Sequence, residues 1–273
     1  MKMHRTMFMA TIVALAATTA HAEKAAAFYE LNVEGEVQIA PDGHVSDYRI
    51  RNELAAPVTA LVRKNVLAWH FDPILVDGKA VEAKTAMHLQ LHTESAAGKT
   101  DEFVVRIASI NFGTPTRSSS VRPPRYPDAA IEARLGAKVV LSARLDETGK
   151  VVEAVPYQTS LNARARDEKE AEKWRRVFEK ASIAAAKTWR YDLSETVGGR
   201  PIGNNVIIPI VYDIGSSPAA SSNRWSGYVP GPIHPAPWSM PDDETRVAEL
   251  GDGEARSTSS RFHLKDDVIG KAL

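Results

Sequence analysis

Residues 123–214 constrain the fold most, because two hydrophobic periods follow one another there in a fixed order. Apolar side chains recur at every second position on both sides of residues 146–149, which is the period of a β-strand. The turn at 146–149 ends in Gly, which accepts the positive φ of a tight hairpin. Residues 167–189 then show helical spacing, and a Val/Ile-rich stretch closes the unit at 206–214. This order predicts a small antiparallel sheet packed on one long helix.

The predicted long helix carries one apolar stripe. Glu, Lys and Arg residues lie between the stripe positions, where they can pair at i,i+4 on the solvent face. The residues expected to face the sheet are Ala171, Trp174, Phe178, Ala181 and Ala185, joined by Val177 and Thr188.

The N-terminal half repeats this order on a smaller scale. Its hairpin turn is Pro41-Asp42-Gly43, and Pro57 suits the first turn of its helix. The predicted elements are strands at 31–39 and 45–50, a helix from 57 to about 69, and strands at 85–92 and 103–112.

Two local patterns recur in the same order in both halves. Gly43-His44-Val45 corresponds to Gly149-Lys150-Val151, and Trp69-His70-Phe71 corresponds to Trp189-Arg190-Tyr191. We interpret the recurrence as an internal duplication of a β-β-α-β module. The alternative is a pair of unrelated α+β domains that share turn chemistry.

The N-terminus indicates an exported protein. Lys2 and Arg5 precede an apolar run of about 14 residues, and Ala20-His21-Ala22 has the small-x-small pattern of a cleavage site. Because a membrane-spanning helix needs about 20 apolar residues, a cleavable signal peptide over residues 1–22 is favoured over an uncleaved anchor. The predicted location is the periplasm.

Composition narrows the classes of function. The 34 Lys and Arg residues equal the 34 Asp and Glu residues in number, so no overall positive field predicts binding to nucleic acid. The chain contains no cysteine, which excludes disulfides, zinc-thiolate sites and thiol catalysis. No cofactor is predicted.

Two segments have the composition of connections rather than of domains. Residues 113–122 are rich in Ser, Thr, Pro and Gly without apolar periodicity, and are predicted to form a linker. Residues 215–273 are predicted to be a Pro/Ser/Gly-rich tail with little core of its own. Within the tail, residues 262–273 have the pattern of a short terminal helix.

The second half resembles the C-terminal domain of the TonB family, including the TolA-type fold. The resemblance covers about ninety residues in the family's order. It is carried by Pro124-x-Tyr126-Pro127, Gly136, Asp146 and Gly149, Ser160, Lys187-Thr188-Trp189-Arg190-Tyr191, Gly199-x-Pro201 and the closing Val/Ile-rich strand. The first half is a weaker copy, because it lacks the Pro-x-Tyr-Pro entry and has a shorter helix.

The resemblance implies an α+β fold of two TonB-C-like modules, each with a small antiparallel sheet packed on a helix. The predicted division is a signal peptide at 1–22, a first module at 23–112, a linker at 113–122, a TonB-C-like domain at 123–214 and a tail at 215–273. It further implies a non-enzymatic envelope protein, linked to TonB-dependent transport, that binds an outer-membrane receptor or another envelope protein segment.

The mode of binding that the resemblance implies is strand addition, in which an extended peptide joins an exposed sheet edge. The candidate edge is 206–214, and Pro209 supports its edge position because proline cannot donate to a central ladder. The implied contact residues are Arg125, Tyr126, Val206, Ile208, Ile210 and Tyr212.

Two alternatives to receptor binding remain. The tail or a second copy of the chain blocks the edge, or the modules act as an envelope scaffold that dimerises through the same edges. Departures from TonB weaken an energy-transducing role: the chain has a cleavable signal rather than an anchor, a short linker rather than a long spacer, and Pro123 in place of a polar residue.

Motifs that would indicate an enzyme are weak. Gly98-Lys99-Thr100 lacks the glycine that a phosphate-binding loop needs at position 93. His88 and His92 lie on a predicted strand about 13 Å apart, too far to share a metal ion. No Gly-x-Ser-x-Gly is present. We therefore expect binding rather than catalysis, and no metal site.

Overall fold

The structure is a computed structural model, and it describes residues 29–95, 103–214, 227–238, 252–253, 255–258 and 260–273. The predicted signal peptide at 1–22 lies outside the described residues. No helix in the described part of the chain has the length and apolar character needed to cross a membrane. Strands with a few helices make up the fold, which is compatible with the predicted α+β class.

The N-terminal half forms an antiparallel sheet that is packed against one helix. The first strand lies between its hairpin partner and the strand that follows the helix, giving the order β2-β1-β5-β6. Val62 and Val66 are the buried residues of the helix. The elements are β1 (Glu30–Ile39), β2 (Val45–Ile50), α1 (Ala56–Val66), β3 (Leu75–Val76), β4 (Lys79–Ala80), β5 (Ala83–Ser95) and β6 (Phe103–Phe112).

The C-terminal half has the same arrangement around a longer helix. Asp167 caps this helix, because its side chain accepts a hydrogen bond from the Glu170 N–H. The elements are β7 (Thr116–Arg117), α2 (Asp128–Glu132), β8 (Ala137–Leu145), β9 (Val151–Leu161), α3 (Glu168–Ala186), β10 (Tyr191–Asp192), β11 (Thr196–Val197), β12 (Arg200–Pro201), β13 (Asn205–Tyr212) and β14 (Arg256–Ser257). The strand order is β9-β8-β13-β14.

In the second half, the hairpin turn between β8 and β9 is fastened to the end of α3. The Gly149 carbonyl accepts a hydrogen bond from the Tyr191 N–H at 2.8 Å, and the Val151 N–H donates to the Trp189 carbonyl at 3.1 Å. The two sequence patterns that recur in the chain therefore meet in space here. They set the angle at which the helix leaves the sheet.

The first half contains the equivalent pair of hydrogen bonds. The Gly43 carbonyl accepts from the Phe71 N–H at 2.7 Å, and the Val45 N–H donates to the Trp69 carbonyl at 3.2 Å. In both halves the aromatic residue and the tryptophan are buried. The same turn-to-helix fastening thus occurs at corresponding positions of the two halves.

The apolar stripe of α3 is rotated from the predicted one. Thr188 is exposed, and Trp174, Ala181 and Ala185 are only half-buried. Arg175 is buried because the tail residue Gly231 lies against it, and its guanidinium pairs with Glu168. The residues that are fully buried on this helix are Ala171, Arg175, Phe178, Ser182 and Ala186.

Strand pairings connect the two halves, and the predicted linker also takes part in the fold. β11 of the second half pairs with β5 of the first sheet, through Thr196 with Lys84 and Val197 with Ala83. In the predicted linker, β7 pairs with β10, and Val121 is buried in the second core. The division into two domains stays a prediction, but residues 113–122 are not a free spacer.

The described part of the tail packs on both halves. The expected helix at 262–273 is wrong: Leu264 bridges to Phe71, and Ala272 bridges to Arg106 beside β6. Phe262 is buried in the first core. These backbone pairings satisfy the tail's N–H and C=O groups in place of helical hydrogen bonds, which is why the terminal segment is extended.

Candidate functional site

The candidate binding edge is β13, which the structure places beside β8 over eight paired positions from Asn205 to Tyr212. The side chains of Val206, Ile208, Ile210 and Tyr212 are all buried in the second core. These four predicted contact residues therefore point their side chains at the core. A partner strand at this edge would instead contact the backbone of the residues that lie between them in β13.

The backbone groups of β13 that face away from β8 belong to the odd-numbered residues. The carbonyls of Asn205 and Pro209 accept hydrogen bonds from tail N–H groups, and the Val211 N–H donates to a tail carboxylate. The backbone groups of the even-numbered residues face β8. In the same register, the Asn204 carbonyl accepts a hydrogen bond from the Leu145 N–H. Pro209 lacks its N–H on the outer side, so the β8 ladder loses no hydrogen bond.

The outer side of β13 is already paired within this chain. β14 adds there, with Val206 opposite Ser257 and Ile207 opposite Arg256. The expectation of an open edge at 206–214 is therefore corrected. Of the alternatives raised by the sequence, the tail occupies this edge.

The other two predicted contact residues, Tyr126 and Arg125, differ from each other in burial. The Tyr126 ring contacts Tyr212 edge-on at 5.3 Å between centroids, and its hydroxyl donates to the Leu135 carbonyl at 2.8 Å. Burial raises the pKa of Tyr126 to about 12. Arg125 is exposed and pairs with Asp128 at 3.1 Å. Tyr126 thus anchors the segment before α2 to the second core, whereas Arg125 is accessible to a partner.

A second tail segment covers the opposite edge and the open face of the same sheet. The N–H groups of Val229 and Leu161 donate to each other's carbonyls at 2.7 and 3.0 Å, which places the tail beside β9. Trp238 then lies on the face away from α3, where its indole N–H donates to Ser142 Oγ at 3.0 Å. The Arg144 guanidinium lies 5.7 Å from the same ring.

A polar cavity of about 640 Å³ separates the outer face of the first sheet from the linker and tail. His88 lies in it, with its Nε2 atom 3.7 Å from Glu34 Oε1. Within the described ranges, no three His, Asp or Glu side chains are grouped so as to hold a metal ion. The cavity floor offers hydrogen-bonding groups from Asn32, Glu34, His88, Gln90, Ser109 and Asn111.

A buried carboxyl group joins the two halves to the tail. Glu195, only 2% exposed, accepts hydrogen bonds from Thr85 of β5 at 3.2 Å, from Asn204 at 3.1 Å and from Ser260 of the tail at 2.9 Å. Sequence reasoning missed Glu195, because a single Glu in a short polar stretch has no pattern. Two of its three partners, Thr85 and Ser260, are distant in sequence.

Replacing Glu195 with Gln is expected to remove a pH dependence of stability. Burial raises the pKa of Glu195 above its ordinary value of 4.5, against hydrogen bonds from Ser260 and Thr85 that lower it. The folded protein therefore holds this proton at a higher pH than the unfolded chain. The favourable contribution is complete below the unfolded value and is lost as the pH rises through the raised folded value.

The measurement is urea unfolding at a series of pH values that begins at about pH 4 and rises from there. The wild type should lose stability relative to E195Q as the pH rises. The exposed Glu147 supplies the control, since E147Q makes the same chemical change outside the buried cluster. Parallel curves for wild type and E195Q would show that the Glu195 carboxyl does not titrate differently on folding.

Comparison with known proteins identifies one kind of relative. A stretch of 105 residues, 38% of this chain, is 28% identical to proteins named Protein TonB from two strains of Xanthomonas campestris pv. campestris, one of them B100. The matched stretch spans 41% of the length of those relatives. No family model matches the chain, and no solved structure matches it. The similarity supports a TonB-like domain.

Proposed function

We propose that this chain is an exported, non-enzymatic envelope protein that binds an extended segment of a protein partner by strand addition at β13. The observation that carries the proposal is β13 itself: a Val/Ile-rich strand that bonds to β8 on one side, with the missing N–H of Pro209 on its outer side. Similarity to Protein TonB favours an outer-membrane receptor or a related envelope protein as the partner.

The two halves are proposed to be copies of one β-β-α-β module. Supporting this, each half has the strand order of hairpin partner, first strand and post-helix strand. Each also fastens its hairpin glycine to the aromatic residue after its helix, Gly43 to Phe71 and Gly149 to Tyr191. Two unrelated domains would not be expected to share both the topology and these hydrogen bonds.

The outer backbone groups of β13 supply the proposed contact. Strand addition needs N–H and C=O groups directed away from the sheet, and these belong to Asn205, Ile207 and Val211, with the carbonyl alone at Pro209. The buried side chains of the even-numbered residues keep the strand flat against the core. Affinity would then come from main-chain hydrogen bonds, and specificity from the side chains beside them.

Capture of proteins from envelope extracts tests the proposed contact with a matched pair of variants. Val211→Pro removes one outward N–H, whereas Val211→Ala shortens the same side chain and keeps that N–H. We expect V211P to retain at least about tenfold less of any partner that V211A retains, since about 1.4 kcal/mol equals a factor of ten. Equal capture by the two variants, with both folded by circular dichroism, would refute binding at this edge.

A scaffold role is the second candidate, favoured by the way the tail connects the parts. Tail residues pair with β9, β13 and β6, and β11 joins the first sheet. Sedimentation distinguishes the two functions. A stable homodimer that captures no envelope protein would favour the scaffold, and a monomer that captures a partner would favour binding.

A further inference from the structure

We propose that residues 252–253 and 255–258 occupy the partner's place on β13, and that their chemistry describes the strand that replaces them. The segment would hold the edge closed until an extended partner exchanges with it, one with an acidic residue at the position of Asp252 and small residues at the positions of Gly253 and Ala255. The identity of the partner rests on the proposed function, but the exchange itself does not.

The segment imitates an added strand along most of β13. The Thr258 N–H donates to the Asn205 carbonyl at 2.9 Å, and the Gly253 N–H donates to the Pro209 carbonyl at 2.8 Å. At the far end, a carboxylate replaces a backbone acceptor: Asp252 Oδ1 accepts from the Val211 N–H at 2.9 Å. An intramolecular segment therefore satisfies the outward groups that strand addition would use.

Side chains beside these bonds select for small residues. Gly253 and Ala255 are both buried, and Ala255 belongs to the second core. The Tyr191 hydroxyl donates to the Gly253 carbonyl at 3.2 Å, and a Cβ atom on Gly253 would contact Arg117 and Val121 at 3.4–3.5 Å. Gly253 also has φ +70°, a value that favours glycine. A replacing strand would need a residue no larger than Ala at the position of Ala255.

The pairing of this segment is short, which makes exchange feasible. β14 has two paired positions with β13, whereas β8 has eight on the other side. The segment adds anchors beyond the ladder, because Asn204 donates to Ser257 Oγ at 2.8 Å and Ser260 donates to Glu195. A partner that pairs along the whole of β13 would extend this two-position ladder and offer a main-chain acceptor to the Val211 N–H in place of the Asp252 carboxylate.

A tethered competitor lowers the apparent affinity of any partner. Because the segment belongs to the same chain, its effective concentration at β13 does not depend on protein concentration. The apparent affinity equals the intrinsic affinity multiplied by the fraction of molecules in which the edge is open. Weakening the segment should therefore strengthen binding by an incoming strand, within the range of about 5–150-fold typical of coupled sites.

Amide hydrogen exchange on the wild-type protein tests the opening directly. If the segment leaves β13 without unfolding of the domain, the outward N–H groups of Ile207 and Val211 should exchange at least about tenfold faster than those of Ile208 and Ile210. Equal protection of both sets would mean that the edge opens only when the domain unfolds, and would overturn the proposal.

Binding of the chain's own segment in trans tests the exchange and its chemistry. The probe is a synthetic peptide with the sequence of residues 250–260. The receptor is D252A/T258P, which removes the carboxylate acceptor and one backbone donor of the tethered segment. We expect it to bind the peptide at least about fivefold more tightly than the wild type does. The exposed Asp267 gives the control variant D267A, which should behave as wild type.

A peptide carrying Ala255→Arg should bind D252A/T258P at least about fivefold more weakly than the natural peptide. Equal binding of the natural peptide by wild type and D252A/T258P would overturn the competition, and equal binding of the two peptides would overturn the requirement for a small residue. These tests use only the chain and its own segment. If they succeed and envelope capture fails, the exchange stands and the proposed function fails.

Discussion

Replacing Trp189 with Ala is expected to lower the free energy of unfolding by about 3–5 kcal/mol, the cost of truncating a large aromatic side chain in a core. Trp189 is 2% exposed and lies where α3 ends against the sheet. Its indole N–H also donates to the Arg122 carbonyl at 3.0 Å. The substitution therefore leaves both a cavity and an unpaired carbonyl in the segment that enters the second half.

Trp174 offers a matched control on the same helix. It is half-buried, and Lys173 Nζ lies 5.8 Å from its ring. Trp174→Ala removes the same number of atoms with less loss of burial, so we expect a cost of about 1–2 kcal/mol, in the ordinary range for point substitutions. Guanidinium unfolding measures both variants. Similar costs for the two would mean that the α3 end is not a closed core.

The long periodic elements of this fold could be predicted from the sequence. Strands predicted at 45–50 and 103–112 have the observed bounds, and the first and last strands differ by one or two residues at their ends. These elements repeat one spacing over many residues, so the pattern is strong. The helix α3 was predicted with about the right length but with a rotated stripe, because burial by the tail at Arg175 has no local signal.

The short pairings could not be predicted, because their partners lie far away in the chain. β11 has only Thr196 and Val197, and it forms by adding to β5, more than a hundred residues earlier. The tail has the composition of a connection, yet several of its described residues pair their N–H and C=O groups along sheet edges. Local composition shows that a segment lacks a core of its own, but it does not show that the segment covers another one.

At the candidate site, too, the strand could be predicted from the sequence but its pairing could not. Pro209 indicated an edge strand, and the structure places its missing N–H on the outer side. The alternating apolar pattern, however, does not show which backbone groups of β13 face β8 and which face outward. The sequence favoured Val206, Ile208, Ile210 and Tyr212, whereas the outward backbone groups belong to the residues between them. Alternation identifies the core face of a strand, but not which residues bond to a given neighbour.

Replacing Gly149 with Ala is expected to destabilise the protein by about 3 kcal/mol or more. A side chain at φ +76° costs about 1–2 kcal/mol by itself. In addition, a Cβ atom on Gly149 would lie 1.9 Å from the Tyr191 carbonyl oxygen, which is backbone and is fixed by the end of α3. Either the hairpin or the helix end must move, and the hydrogen bond from the Tyr191 N–H to the Gly149 carbonyl is then lost.

Gly199 separates the steric clash from the conformational strain. It has φ +74°, but a Cβ atom there would meet nothing within 4 Å, so Gly199→Ala should cost only about 1–2 kcal/mol. Gly43→Ala should behave like Gly149→Ala, since its Cβ would lie 2.2 Å from the Phe71 carbonyl oxygen. Thermal and urea unfolding of the three variants therefore test whether both halves depend on the same fastening. If Gly43→Ala or Gly149→Ala costs no more than Gly199→Ala, the turn-to-helix contact does not hold that half together, and the case for two copies of one module loses its strongest structural support.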